Sequence, residues 1–265
     1  MDYREADDIY FDIVEEHGDE FFAVVGRTQF PKTYGALLGF VKKTNSLKTA
    51  MFDMVDSNNP YAFKALFRCF CDHYIKFQYL FIRFLQENTD AVGDEYFNLC
   101  GVSEMVEYLD SIRVAEALIG NEARLETERA IHELYPRAAG MSKRQLAEAS
   151  AKFKYRSILR FLSDAAPGII SQERPFLAAI VPSYALLSSF VHGGPWTDRD
   201  MRTYAEEEAL EECEEKAGLV FAMTASVFLF AVMAVSRERE EFRPLASQIN
   251  QVVRDYLSPS PSGEA

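Results

Sequence analysis

Basic residues are in short supply: 28 Lys and Arg stand against 41 Asp and Glu, a formal charge of −13 over 265 residues. Such a chain has no broad surface for DNA, because nonspecific nucleic-acid binding depends on Lys and Arg displacing the counterions of phosphates. Only a local basic pocket could take RNA or a nucleotide. Glycine and proline are also scarce, at 13 and 10, too few for the turn-rich chain of a β-sandwich or barrel. Four cysteines, at 69, 71, 100 and 213, do not make a disulfide framework, and the acidic opening Met1–Asp8 does not read as a signal peptide. A reducing cytoplasm with free thiols is the expectation. Also missing are a phosphate-binding loop, a Gly-x-Ser-x-Gly elbow, a His-Glu-x-x-His zinc motif and the Glu-x-x-His pair of di-iron bundles. No cofactor and no metal site is therefore predicted.

What is present is apolar and helical in period. Hydrophobic residues make up 48% of the chain, with 21 Phe and 13 Tyr, large side chains suited to filling gaps between helices. Tyr3, Ala6, Tyr10, Ile13, Val14 and His17 share one face before Gly18. Thr33 to Val55 holds a second helix, although Pro31, Gly35 and Gly39 read as interruptions. Asn58-Asn59-Pro60 starts a long helix through Phe63, Phe67, Phe70, Tyr74, Phe77, Phe81 and Phe84.

Further on, Asp94 and Ser103 read as caps of two pieces split at Gly101, and Asn121 restarts the chain until Tyr135-Pro136. Ser142-Lys-Arg-Gln145 fits a capping box and opens one helix that stops before Pro167-Gly168. Pro175 begins the next, Pro182 kinks it so that the Tyr184 segment is either a bent continuation or a separate helix, and Thr197 caps the one that follows. A last helix runs from Pro244 to Leu257. The expected fold is all-α: a single helical domain over residues 1–257, with 60–87, 172–192 and 217–236 at its centre, the helices of 1–56 at its periphery, and a disordered tail at 258–265.

Ala217 to Ser236 is twenty residues without a charge, the length of a membrane span. Its large apolar side chains are worth about −0.3 to −0.6 kcal/mol each on the insertion scale, but Gly218, Thr224, Ser226 and several Ala dilute them. A helix apolar on all sides is also what the centre of a bundle requires. The buried helix is the expectation, and a membrane anchor is the alternative. The acidic run Glu206, Glu207, Glu208, Glu211, Glu212, Glu214 and Glu215 lacks the turn glycine and alternating ligands of a calcium loop, and reads as a solvated face. Cys69, Cys71 and His73 look like metal ligands, yet only 69 and 73 share a helical face and no second pair follows at finger spacing, so they read as core groups.

Two polar patterns stand out on apolar helices. Arg68 and Asp72 are four apart on the Phe-rich helix, the spacing of an ion pair. Tyr184, Ser188 and His192 are spaced i, i+4, i+8, and Gly193-Gly194-Pro195 then ends the helix. His192 thus falls in the last turn, at the negative end of the helix dipole. The bland reading of both patterns is a set of satisfied packing groups; the sharper one is a site assembled from Arg68, Asp72, Tyr184, Ser188 and His192.

At these residues the chain resembles a family of all-helical, mostly bacterial proteins whose activity is not established. Its marks are an Arg-x-x-x-acid helix, here Arg68-Cys-Phe-Cys-Asp72, and a Tyr-x-x-Leu-Ser-x-x-x-His-Gly segment, here Tyr184 to Gly193. The resemblance covers residues 55–240, with Asp72 where the family more often has Glu, and it implies a fold and a site but no reaction. More distantly the chain resembles HEPN proteins, helical bundles that often cleave RNA through an Arg followed four to six residues later by His, the spacing of Arg68 and His73. Cys69 stands where that motif usually has a polar residue. What this resemblance implies is a ribonuclease or toxin of bacterial defence or stress, with a His moving the 2′-hydroxyl proton and Arg steadying the phosphorane. A non-catalytic module that binds a partner protein is the other reading, and a homo-oligomer fits either.

Overall fold

The computed structural model describes residues 1–120, 133, 135, 140–164, 174–203 and 206–258. Among them there are helices and no strand, which is the all-α class. Helix α1 spans Tyr3–Val25, α2 Pro31–Asp56 and α3 Pro60–Glu87. Each opens on a residue suited to the position. Asp2 accepts from the amides of Arg4 and Glu5, and Glu5 accepts from the Asp2 amide, completing a capping box. Pro31 and Pro60 sit in first turns, where a missing N–H leaves no bond unmade, and Asn59 accepts from the Ala62 amide. Pro31, Gly35 and Gly39, which read as interruptions in the sequence, are absorbed into one unbroken α2.

Helix α4, Ala91–Glu95, passes through a π-turn at Tyr96–Cys100 into α5, Gly101–Leu118. The expected break at Gly101 is therefore a continuation. Asp94 is not a cap: it lies within α4 with its carboxylate buried, 2.5 Å from Lys32 Nζ. Gly93 is the position where side-chain absence matters, because a Cβ there would overlap the backbone of Lys32 and Thr33. The Gly93 amide donates to Thr33 Oγ1 at 3.0 Å, which fastens α4 to the start of α2.

The capping box at Ser142 and Gln145 forms as the sequence implies, and α6 covers Lys143–Ala151. The single helix expected from it is broken by a turn at residues 152–154, after which α7 runs over Tyr155–Asp164. Helix α8, Arg174–His192, runs through Pro182 without dividing. Helix α9 begins at Pro195 and ends at Thr203, so Thr197 lies inside it and not before it. Its N-terminus is capped from α8: Ser189 Oγ accepts from the Thr197 amide at 3.1 Å. Helix α10 is Glu206–Val235, and after a 3-10 turn α11 covers Arg243–Leu257. The helix expected from Asn121, the stop at Pro167-Gly168 and residues 259–265 of the tail lie outside the described residues.

The centre of the fold is α2, α3 and α10, each packed on the other two; α11 and α1 close one side, and α8 and α7 lie against α3 on another. This corrects the sequence-based arrangement, which put 172–192 at the centre and 31–56 at the edge. Helix α2 buries Tyr34, Leu37, Phe40, Val41 and Met51, and the Tyr34 hydroxyl donates to the Ala234 carbonyl at 3.0 Å. Helix α8 buries Ile180, Leu187 and Phe190 but leaves Leu186 and Val191 exposed. Helix α10 is buried through Ala217, Val220, Phe221, Met223, Val227, Phe228 and Val232, and 83% of its most apolar window lies inside the protein. Burial of each such Phe, Val or Met contributes roughly 1.5–3 kcal/mol. Gly218 admits α11, since a Cβ there would meet the Tyr256 hydroxyl. A smaller cluster of Val102, Leu109 and Leu146 joins α5 to α6.

Candidate functional site

Helices α3 and α8 run antiparallel, as their contacts show. The Tyr61 hydroxyl donates to the Phe190 carbonyl at 3.0 Å, Lys64 lies over the Phe190 ring, and Arg68 meets Ser188 and Tyr184. Rising numbers on α3 face falling numbers on α8. A polar residue on the α8-facing side of α3 therefore meets the Tyr184, Ser188, His192 row, and Arg68 is that residue.

Arg68 Nε–H donates to Ser188 Oγ at 3.2 Å, and the guanidinium carbon lies 3.2 Å from the centre of the Tyr184 ring. Tyr155 of α7 stacks on the same ring, 3.7 Å away and 7° from parallel. Arg68 and Tyr155 are too close to the Tyr184 ring to share a face, so Tyr184 is sandwiched between them. The Ser188 hydroxyl donates to the Tyr184 carbonyl at 3.1 Å, leaving its oxygen to accept from Arg68. Burial raises the Tyr184 phenol above its ordinary range and pushes Tyr155 up to about 12, so both remain neutral hydrogen-bonding groups near pH 7.

Asp72 does not pair with Arg68. Its carboxylate is 2.9 Å from Lys76 Nζ, one turn further along α3. The other cations of α3 also have carboxylates: Lys64 meets Asp200 and Glu212, and Arg83 meets Glu87 and Glu95. Among the described residues Arg68 is the one cation of this helix without a carboxylate in ion-pair range. Nε is committed to Ser188, and among the described residues no carboxylate neutralises the charge of the guanidinium.

His192 lies one turn beyond Ser188, about 6 Å along the axis at 1.5 Å per residue, and is exposed. The helix stops immediately after it, at Gly193 with φ of +64°. His73 is on another azimuth of α3. Its Nδ1–H donates to the Cys69 carbonyl at 2.7 Å and its ring meets Phe40 of α2 edge-on. The structure therefore brings together Arg68, Tyr184 and Ser188, sets Asp72 and His192 one turn to either side, and turns His73 towards α2. Cys71 is buried, which pushes its thiol up to about 12 and leaves it un-ionised. Among the described residues no group of three His, Cys, Asp or Glu side chains is placed to hold a metal ion.

Tyr155 and Lys76 complete the site and carry no sequence signal of their own. Tyr155 opens a helix whose existence depends on the turn at 152–154, and Lys76 differs from other surface lysines only by taking Asp72 away from Arg68. No protein-family model, curated protein or solved structure matches the chain.

Proposed function

We propose that the protein cleaves RNA without a metal, in the manner of HEPN-like ribonucleases, with Arg68 holding the scissile phosphate and His192 moving the proton. One observation carries this reading: a half-buried guanidinium clamped by Ser188 and Tyr184, with no carboxylate among the described residues to neutralise it. A partly desolvated cation without a counter-ion favours an anionic ligand, which supplies the missing charge. His192, at the exposed end of the same row, takes the 2′-hydroxyl proton. The oxygen then attacks phosphorus, the 5′-oxygen leaves with a proton from solvent, and a 2′,3′-cyclic phosphate remains. Developing charge on the phosphorane falls to the Arg68 N–H groups. Ser188 and Tyr184 are positioning residues here, because the serine oxygen and both faces of the tyrosine are already engaged. The burial of α10 supports its reading as a core helix over that as a membrane anchor.

The test uses a labelled single-stranded RNA with parent protein, Arg68→Ala and His192→Ala. His192→Ala is expected to lower cleavage about a hundredfold or more, the usual scale of acid–base catalysis, at unchanged helical circular dichroism. Full activity in folded His192→Ala with loss in His73→Ala moves the proton-transfer role to His73. Absence of cleavage by the parent protein overturns the enzymatic reading in favour of a partner-binding module, which the exposed Leu186, Val191 and Trp196 around the end of α8 support.

A further inference from the structure

Beside the Arg68 cluster, α3, α8, α9 and α10 enclose a groove of about 280 Å³ lined by Lys64, Leu186, Leu187, Phe190, Trp196 and Glu212. The volume is below the ~300–1,000 Å³ of ordinary small-molecule sites, and suits apolar side-chain anchors. Its walls are fixed from beneath: Leu187 and Phe190 are buried, and Lys64 is held by Asp200 at 2.7 Å and Glu212 at 3.1 Å. Its rim is open. Leu186 is 52% exposed, and Trp196, the only tryptophan of the chain, is 58% exposed. Tryptophan and a neighbouring Arg are the residue types that dominate binding energy at protein interfaces, and Arg199 lies over the Trp196 ring.

The charge around the groove selects among occupants. Glu208 and Glu215 lie one turn to either side of Glu212 on α10, both exposed and without an ion pair among the described residues. Glu211 adds a third exposed carboxylate to this face. A second copy of a chain with formal charge −13 would bring like charge to this face. We propose that the groove is the docking site for an amphipathic helix of a different protein, which inserts apolar anchors between Leu186 and Trp196 and sets Lys or Arg against Glu208 and Glu215. The mode is helix-in-groove, with apolar contacts providing affinity and the charged rim selecting basic partners. It stands independently of RNA cleavage.

The probe is a fluorescently labelled amphipathic peptide of Leu and Lys, with a same-composition peptide of scrambled, non-amphipathic order as control. Anisotropy titrations against the full chain are expected to show binding of the amphipathic peptide only. Trp196→Ala and Leu186→Asp, both at exposed positions and checked by circular dichroism, are expected to weaken it roughly tenfold or more. Glu208→Lys with Glu215→Lys is expected to weaken it further and to flatten its salt dependence. Equal binding of the scrambled peptide, or unchanged affinity in Trp196→Ala and Leu186→Asp, overturns the proposal. Sedimentation showing a dimer that Leu186→Asp dissociates also overturns it, and assigns the groove to a second copy.

Discussion

The Arg68 guanidinium sits over the Tyr184 ring, 3.2 Å from its centre, and this contact joins α3 to α8 at the point where the chain's two polar patterns meet. Because Tyr155 covers the opposite face, one aromatic ring fixes the relative positions of three helices.

This relationship has a measurable coupling. In a double-mutant cycle of Arg68→Met and Tyr184→Leu, urea denaturation is expected to give an interaction energy of about 1–2 kcal/mol, the range of a partly desolvated cation–π pair. Arg68→Lys is expected to behave like Arg68→Met here, since an ammonium loses the planar stack and cannot reproduce the Nε bond to Ser188. A coupling near zero would mean that the stack does not hold the helices together.

His73 predicts a pH dependence of stability. Burial, the largest cause, lowers its pKa from about 6.5; Lys43 and Lys76 act in the same direction, and the Cys69 carbonyl and Asp72 oppose them. The folded state then resists a proton that the unfolded chain accepts, so stability rises with pH wherever the two differ. The contribution of His73 is complete above about pH 6.5 and is lost as pH falls from there through the lowered folded pKa. In His73→Gln, the difference in urea midpoint between about pH 7.5 and about pH 5.5 is expected to narrow relative to the parent.

The interior position of α10 makes a different claim testable. Phe228 is wholly buried and packs edge-on against Tyr10 and Phe21 of α1. Phe228→Ala is expected to cost about 3–5 kcal/mol of folding stability, and the parent protein is expected in the soluble fraction without detergent. Recovery only in a carbonate-resistant membrane pellet would show that this helix spans a bilayer instead.

Much of the architecture is legible in the chain because its signals are local. Pro60 after Asn59, the Ser142 capping box and the Phe period of α3 each act within one or two helical turns, and each forms where the sequence places it. The misread positions are those where distant packing outweighs local preference. Gly35 and Gly39 break no helix because α2 buries one face along its length, and Asp94 faces Lys32 of α2 instead of capping its own helix.

The site divides in the same way. By itself the sequence determined the helical class, the apolar identity of α10 and the spacing that places Tyr184, Ser188 and His192 along one stripe, since all three depend on helical periodicity. Tertiary structure alone decided that Arg68 would turn to Ser188 and Tyr184 while Asp72 went to Lys76. Two i, i+4 partners compete for one carboxylate on α3, and only the arrival of α8 and the Tyr155 ring gives the guanidinium a better place to go.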